Sequence, residues 1–221
     1  TLDLGVSQRL LGSQRNFTRF LARNATYHRI GKKLILARNT EFGDIYAFRY
    51  PGNALDAIPL PERFFSGGAA SNRGFPDYQA GPRDPTTGFP LGGTALFFNQ
   101  TELRFPLIGD NIGGVLFHDF GNAFSSLRNM SFRVTQQNDQ DFDYMVHAAG
   151  LGIRYRTPIG PVRLDLAYGL NPPHFFGFKG SEADLVNAGV TPCAPVNGSA
   201  SRCVEQSVSH FQFFFSIGQT F

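Results

Sequence analysis

Hydrophobic and polar positions alternate with a period of two through most of the chain, in segments separated by turns of very unequal length. The clearest case is Val162, Leu164, Leu166, Tyr168 and Leu170, which share one parity against Arg163, Asp165, Ala167 and Gly169. That is the pattern of a strand with one greasy and one polar or small-residue face. Residues 145–156 set Ala149, Leu151, Ile153 and Tyr155 against Gly150, Gly152, Arg154 and Arg156. Residues 94–105 carry Ala95, Phe97, Leu103 and Phe105 on one face and Thr94, Gln100, Glu102 and Arg104 on the other. In residues 111–124, Ile112, Leu116 and Phe120 oppose Val115, Phe117 and Asp119. The last segment, 208–221, opposes Phe211, Phe213, Phe215, Ile217 and Phe221 to Gln212, Phe214, Ser216, Gly218 and Thr220. Near the start, residues 2–8, 17–29 and 34–46 are extended segments. Arginines fall on both faces of the latter pair and leave its facing open.

About eight strands are predicted, joined alternately by turns of about 3–5 residues and loops of about 20–45. Short turns on one side and long loops on the other are the habit of transmembrane barrels. The clearer strands, at about 10–13 residues, match the 9–11 that a tilted strand needs to cross a bilayer. A soluble sandwich has shorter strands and turns every 8–12 residues. The fold class expected is therefore all-β, an antiparallel transmembrane β-barrel. The long loops lie outside the cell, and the turns near Lys32, Gly109 and Gly160 lie on the periplasmic side with the C-terminus. No run of about 18 apolar residues marks a membrane helix. A mean hydropathy of −0.17 is compatible with strands whose polar faces dilute the average.

Composition changes this picture little. A net charge of +3 is too small to argue for nucleic acid, and no aromatic-plus-basic RNA-binding motif is present. Thr1 stands where an initiator Met would, and no signal-peptide pattern follows, which reads as a mature or cropped chain. Cys193 and Cys203 are the only cysteines, with nine residues between them in a Pro/Gly/Ser-rich loop. A disulfide in an oxidising compartment fits them better than a metal site or a C-x-x-C redox pair. There is no nucleophile elbow, zinc-protease motif or phosphate loop. Gly150-Leu-Gly152 begins a dinucleotide fingerprint, but Tyr155 occupies the third glycine position. No enzyme, metal or cofactor is expected.

One stretch resists the alternation: about 45 residues between Ala47 and Gly92. A loop this long in a compact domain is usually functional or disordered. Its centre, Phe65-Ser-Gly-Gly-Ala-Ala-Ser-Asn-Arg-Gly-Phe-Pro76, lacks the composition of a disordered linker. Arg73 placed inside a barrel needs an acceptor, because an unpaired buried charge is costly. Asp119 and Glu102 both have inward parity. Gly74 allows close backbone approach or positive φ, and Phe75 can wedge the tip against the wall. The competing reading is an ordinary solvated turn at Arg73-Gly74, with Asp119 merely lining a watery lumen. His118 has outward parity and reads as an interfacial residue.

With these residues in place, the chain resembles the C-terminal part of the outer-membrane assembly factor family that includes BamA and TamA, also called the bacterial surface antigen domain. Four features carry the resemblance, chiefly over residues 62–221. Asn72-Arg-Gly-Phe75 is similar to the family's Arg-Gly-Phe/Tyr loop motif, with Asn72 where Val or Ile is usual. Gly114-Val-Leu-Phe-His-Asp-Phe-Gly-Asn122 resembles the strand with an aspartate followed by glycine. Gly160-Pro-Val-Arg-Leu-Asp165 resembles the penultimate strand, and the terminal Phe221 the assembly signal.

The resemblance implies a sixteen-strand barrel, of which this chain forms the C-terminal half, with strands and periplasmic domains upstream. It implies a loop folded into the lumen, its arginine meeting an aspartate on the second strand after the loop, here Asp119. It also implies a weak seam between first and last strands, where an opened edge can template an incoming strand. Phe211, Phe213, Phe215, Gly218 and Phe221 would line this side of the seam, with Gly218 and Ser216 weakening its packing. The implied partners are the lipid bilayer, nascent outer-membrane or secreted proteins, and accessory lipoproteins. The alternatives are a two-partner secretion transporter and a passive eight-strand pore.

Overall fold

The computed structural model describes residues 1–8, 10, 12–49, 52, 54–109, 111–158, 160–180, 183 and 203–218. Its strands are β1 (Leu2–Ser7), β2 (Phe17–Ile30), β3 (Leu34–Ala47), β4 (Ala95–Ile108), β5 (Ile112–Phe124), β6 (Val146–Thr157), β7 (Gly160–Gly169), β8 (His174–Phe178), β9 (Cys203–Ser207) and β10 (Phe211–Ile217). Eight of them form one sheet in the order β1-β2-β3-β4-β5-β6-β7-β10, and β8 pairs with β9 separately. Every pairing is antiparallel. Among the described residues no helix is long and apolar enough to cross a membrane.

The alternation determines the two faces. On β7, Arg163, Asp165, Ala167 and Gly169 are buried while Leu164, Leu166, Tyr168 and Leu170 are exposed. Cross-strand registers carry this parity around the sheet: Asp165 pairs with Gly152, Gly150 with Phe117, Phe117 with Glu102, Glu102 with Ala37 and Ala37 with Tyr27. The facing of β2 and β3, open in the sequence, follows from that register. Odd-numbered residues point inward on both, so Arg19 and Arg23 are inward and Arg38 is outward. Short turns close one end; the turn after β2 is made by Gly31 in a left-handed conformation (φ 64°), which glycine adopts without steric cost.

Three expectations need correction. The loop after β7 is not unstructured throughout: β8 and β9 form a hairpin in it. These five-residue strands are too short to show alternation, and they are stabilised by the loop beneath them. Phe178 N–H donates to Thr87 O at 2.8 Å, and Gly177 lies so close to Gly88 that a Cβ on either would press on the other's Cα. The terminal strand begins at Phe211 rather than 208, because Val208 is buried against Phe75 and Tyr144 and its N–H turns to Pro173 O. Finally, β4 runs through Pro106 to Ile108, with a register shift at that proline, which has no N–H for the ladder.

The inward face is filled by the long loop between β3 and β4. Its first part contributes Ile58 and Phe64 to an apolar cluster with Phe17, Leu21, Ile45, Leu96 and Phe98. A short helical turn (Ala54–Ala57) and a 3-10 turn (Leu60–Glu62) present these side chains. Phe64 also exchanges two backbone hydrogen bonds with Gly93, and its ring sits against Gly43, where a Cβ would collide with it. Phe64→Ala should therefore destabilise the folded sheet by about 3–5 kcal/mol. Urea titration of the heat-modifiable folded band on a gel measures this; an unchanged midpoint would show that the loop's first part is not part of the core.

Candidate functional site

The site is built around the tip of the long loop. Its closure is local: Gly68 N–H donates to Phe75 O at 2.8 Å and Phe75 N–H to Asn72 O at 3.2 Å. The tip is then held to the wall at both sides of the arginine. Gln100 Nε2 donates to Ser71 O at 2.8 Å, and Asn72 Nδ2 donates to Val146 O at 3.3 Å. The Asn72 carboxamide oxygen accepts from Gly74 N–H at 3.2 Å. An asparagine at this position thus splices the tip to β6 with its amide, a contact that an aliphatic side chain cannot make.

Arg73 is fully buried. Its Nε and Nη2 donate to the two oxygens of Asp119, each at 2.8 Å, a bidentate fork. Its backbone N–H donates to Asp119 Oδ2 at 3.1 Å. Nη1 donates to Glu102 Oε1 at 2.6 Å and stands 3.8 Å from Asp165 Oδ2. Its Cζ lies 3.6 Å from the centre of the Phe117 ring, close enough for a desolvated cation–π contact. Burial alone would lower the arginine's pKa, but the Asp119 hydrogen bonds and the charges of Asp119, Glu102 and Asp165 raise it above the ordinary value. The guanidinium is a permanent cation here.

The carboxylates are shared with the wall's own arginines. Arg104 holds Glu102 Oε2 through Nε at 2.8 Å and Nη2 at 2.7 Å. Arg154 reaches Glu102 Oε1 at 3.4 Å, and its Nη1 lies 2.7 Å from Asp165 Oδ1, near enough for charge attraction but off-line for a hydrogen bond. Arg163 Nη2 meets Asp165 Oδ2 at 3.2 Å. Strands β4, β5, β6 and β7 are tied together by a network of alternating charge with the loop arginine at its centre.

Gly74 and Phe75 complete the contact. A Cβ on Gly74 would overlap Ala148 Cβ and the backbone of Gly169, so glycine is needed for close approach; its φ is not in the left-handed region. Phe75 is fully buried among Ala80, Tyr144, Val146 and Val208.

Of the other residues singled out in the sequence, Phe211, Phe213 and Phe215 are exposed on the outer face of β10, and Gly218 follows that strand with φ 105°. Cys203 is disulfide-bonded at the start of β9. Cys193 and Phe221 lie outside the described residues. His118 is exposed on the outer face, its Nε2 3.2 Å from His147 Nδ1. The sequence reading missed the roles of Asn72, Phe117 and Asp165, although the inward parity of Phe117 and Asp165 was already visible.

Outside the tip, the loop is gripped again. Arg83 donates to Gly88 O at 2.9 Å and to Gln79 Oε1 at 2.8 Å, and its Cζ lies 4.0 Å above the Phe175 ring of β8. Burial lowers its pKa to about 10.

Comparison with known proteins agrees with this architecture. A family model described as the Omp85 superfamily domain matches residues 1–221. An outer membrane protein assembly factor BamA from Nitratidesulfovibrio vulgaris is 27% identical over 160 residues, 72% of this chain and 18% of that protein. The chain thus spans under a fifth of the length of this relative. The crystal structure of BamA from Haemophilus ducreyi lacking POTRA domains 1–3 superposes with a TM-score of 0.59 at 18% identity, covering 91% of this chain and 35% of that one. This second likeness concerns the fold: an open eight-strand sheet matching a fragment of the larger barrel.

Removing one partner of a buried ion pair leaves the other charge uncompensated, at a cost of about 3–5 kcal/mol. Asp119→Ala should lose stability on that scale. Gln100→Ala should lose less, because it removes a single neutral hydrogen bond to the tip, at 2.8 Å to Ser71 O. Urea-dependent loss of the folded band ranks them; equal losses would show that the fork to Asp119 is not the dominant contact.

Proposed function

We infer that this chain, which belongs to the Omp85 superfamily, is part of an outer-membrane barrel that assists other proteins to insert or assemble in that membrane. The observation that carries the reading is the terminal strand. β10 has seven residues against ten in β7, and among the described residues it pairs with β7 alone. Its other edge is the one that the first strand of a complete barrel would meet, and if that junction opens, its backbone N–H and C=O groups can be satisfied by an incoming strand through β-augmentation. The outer face of β10 is apolar, with Phe211, Phe213, Phe215 and Ile217 all exposed. A substrate strand added there would continue the lipid-facing surface.

The docked loop supports the same reading in a different way. Arg73 braces β4 to β7 from inside, and Gly169, on which Gly74 rests, donates its N–H to His210 O at 2.7 Å, the residue before β10. The wall that carries the terminal strand is therefore braced from inside. In this proposal the long loops face the cell exterior and the short turns the periplasm. The partners are unfolded outer-membrane proteins, together with upstream periplasmic domains and accessory lipoproteins of the complete protein.

Photo-crosslinking residues placed one at a time over 211–217 in the full-length protein should capture nascent barrel proteins during their assembly. Absence of substrate adducts along the whole strand would sink the seam mechanism. Arg73→Ala should reduce substrate assembly several-fold while the protein's own strands still form, as judged by its heat-modifiable band. Normal assembly by a folded Arg73→Ala variant would remove the loop tip from the mechanism.

A further inference from the structure

Toward the long loops, the outer surface of the sheet ends in a belt of aromatic rings. Phe20 packs on Phe42 with ring centres 6.3 Å apart, Phe42 pairs with Phe97, and Phe97 lies 6.0 Å from Phe120. Further round, Tyr168 meets Phe211 at 4.9 Å. All share the outward parity, opposite to that of Glu102 and Asp119. Lower down the wall is uneven, with Arg38 and Thr101 outward on β3 and β4. Outward rings recur at the short-turn end in Phe105 and Tyr155. Transmembrane barrels carry such girdles at both interfaces, on either side of an apolar band about 25 Å tall. From Phe97 to Phe105, β4 rises about 27 Å at about 3.4 Å per residue. A tilt of about 40° reduces this to about 20 Å of height, so the two belts are spaced as two membrane interfaces are.

Beyond the upper belt the outer face is not bare. Ala95 at the start of β4, Phe124 at the end of β5 and Met145 just before β6 are outward by parity, yet all three are buried. They are covered by the start of the loop between β5 and β6, which folds back over the outside. Met130 and Phe97 pack against this cluster. Met145 N–H donates to Arg133 O at 2.7 Å, and Asn171 Nδ2 donates to Val134 O at 2.7 Å. Arg133 itself is fastened to Asp141 by hydrogen bonds of 2.9 and 3.1 Å. On a segment held this firmly, Phe132, Val134 and Leu127 remain 71%, 50% and 45% exposed. The Phe132 ring meets that of Phe97 edge-on, with centres 5.8 Å apart.

We propose that residues 127–134 lie in the membrane leaflet on the long-loop side. Phe132, Val134 and Leu127 sit at the boundary of headgroups and acyl chains, and Arg128 extends toward the phosphates. The occupant follows from continuity. Phe132 adds a ring to a belt whose other members face lipid, at the height where aromatic side chains gather in membrane proteins. A protein partner covering it would also have to displace lipid from Phe97. Arg128 is exposed beside Leu127, and its stem can lie along apolar surface while the guanidinium stays at the headgroups. Just past this segment, Gln136 Nε2 donates to His174 O at 2.7 Å and His174 N–H donates to Gln136 Oε1 at 2.8 Å. That clasp joins the anchored segment to β8, which lies over Thr87 and Gly88 of the long loop. The anchor requires an outer-membrane barrel but no seam at β10.

The test places a fluorescent amino acid at position 132 of the complete protein in nanodiscs of phosphatidylcholine and phosphatidylglycerol. The quencher is either a label on the acyl chain near the headgroup or acrylamide in the water. Position 132 should be quenched several-fold more by the lipid label than by acrylamide, and position 139, in the exposed part of the same loop, should show the reverse. Equal behaviour at 132 and 139 overturns the proposal, since the segment then stands in water. Shielding of 132 from both quenchers also overturns it, since that marks a protein contact. A probe at position 151, where the side chain is exposed on the outer wall, should respond to a label deep in the acyl chains. If it does not, the barrel reading falls together with the anchor; failure at 132 alone leaves that reading standing.

Discussion

A guanidinium with no access to water has to be surrounded by acceptors, and the rest of this structure can be understood as what supplies them. The acceptors of Arg73 come from β4 and β5, with a third carboxylate on β7 near by. An apolar tip would have packed against the wall in many orientations at similar energy, because dispersion and hydrophobic burial are not directional. The planar fork accepts few. Asp119 fixes the plane, Glu102 the rotation, and the Phe117 ring covers the face. The network is a device for register more than for stability, since a buried ion pair is weak evidence for net stabilisation compared with good apolar packing.

How much of this was legible beforehand depended on the length of each pattern. Strands of 10 to 14 residues, β4 to β7 above all, announce themselves because a period of two repeated over that length is hard to mistake. Their inward parity carries over to Glu102, Asp119 and Asp165. Asp119 and Glu102 are not rival acceptors, because a guanidinium has five donors and here serves both. The contribution of Asn72 was hidden by its novelty at that position: a side chain that bonds both its own turn and the backbone of β6 is visible only once both are in place. β8 and β9 escaped notice because five residues cannot display a period, and because tertiary contact to Thr87 and Gly88 is what makes them strands.

β2 and β3 are the instructive failure. Their arginines fall on both faces, so hydropathy alone cannot say which side meets lipid. The register to β4 resolves the facing, and it does so by leaving polar groups on the outside. The ambiguity of the sequence and the unevenness of the outer wall are one property seen twice. Strands with one apolar and one polar face, such as β7, read cleanly; strands with polar groups on both faces do not.

The hairpin of β8 and β9 gives the long loop a second hold, separate from that of Arg73. Its backbone lies across Thr87 and Gly88 with glycine against glycine, and Phe175 covers Arg83. Both strands come after the loop in the chain and close over it from outside. The loop is thus held in two places, at its tip by the wall and further on by β8. Breaking the contacts of Arg73 would loosen the tip without releasing the segment, because Arg83, Thr87 and Gly88 are still held by β8.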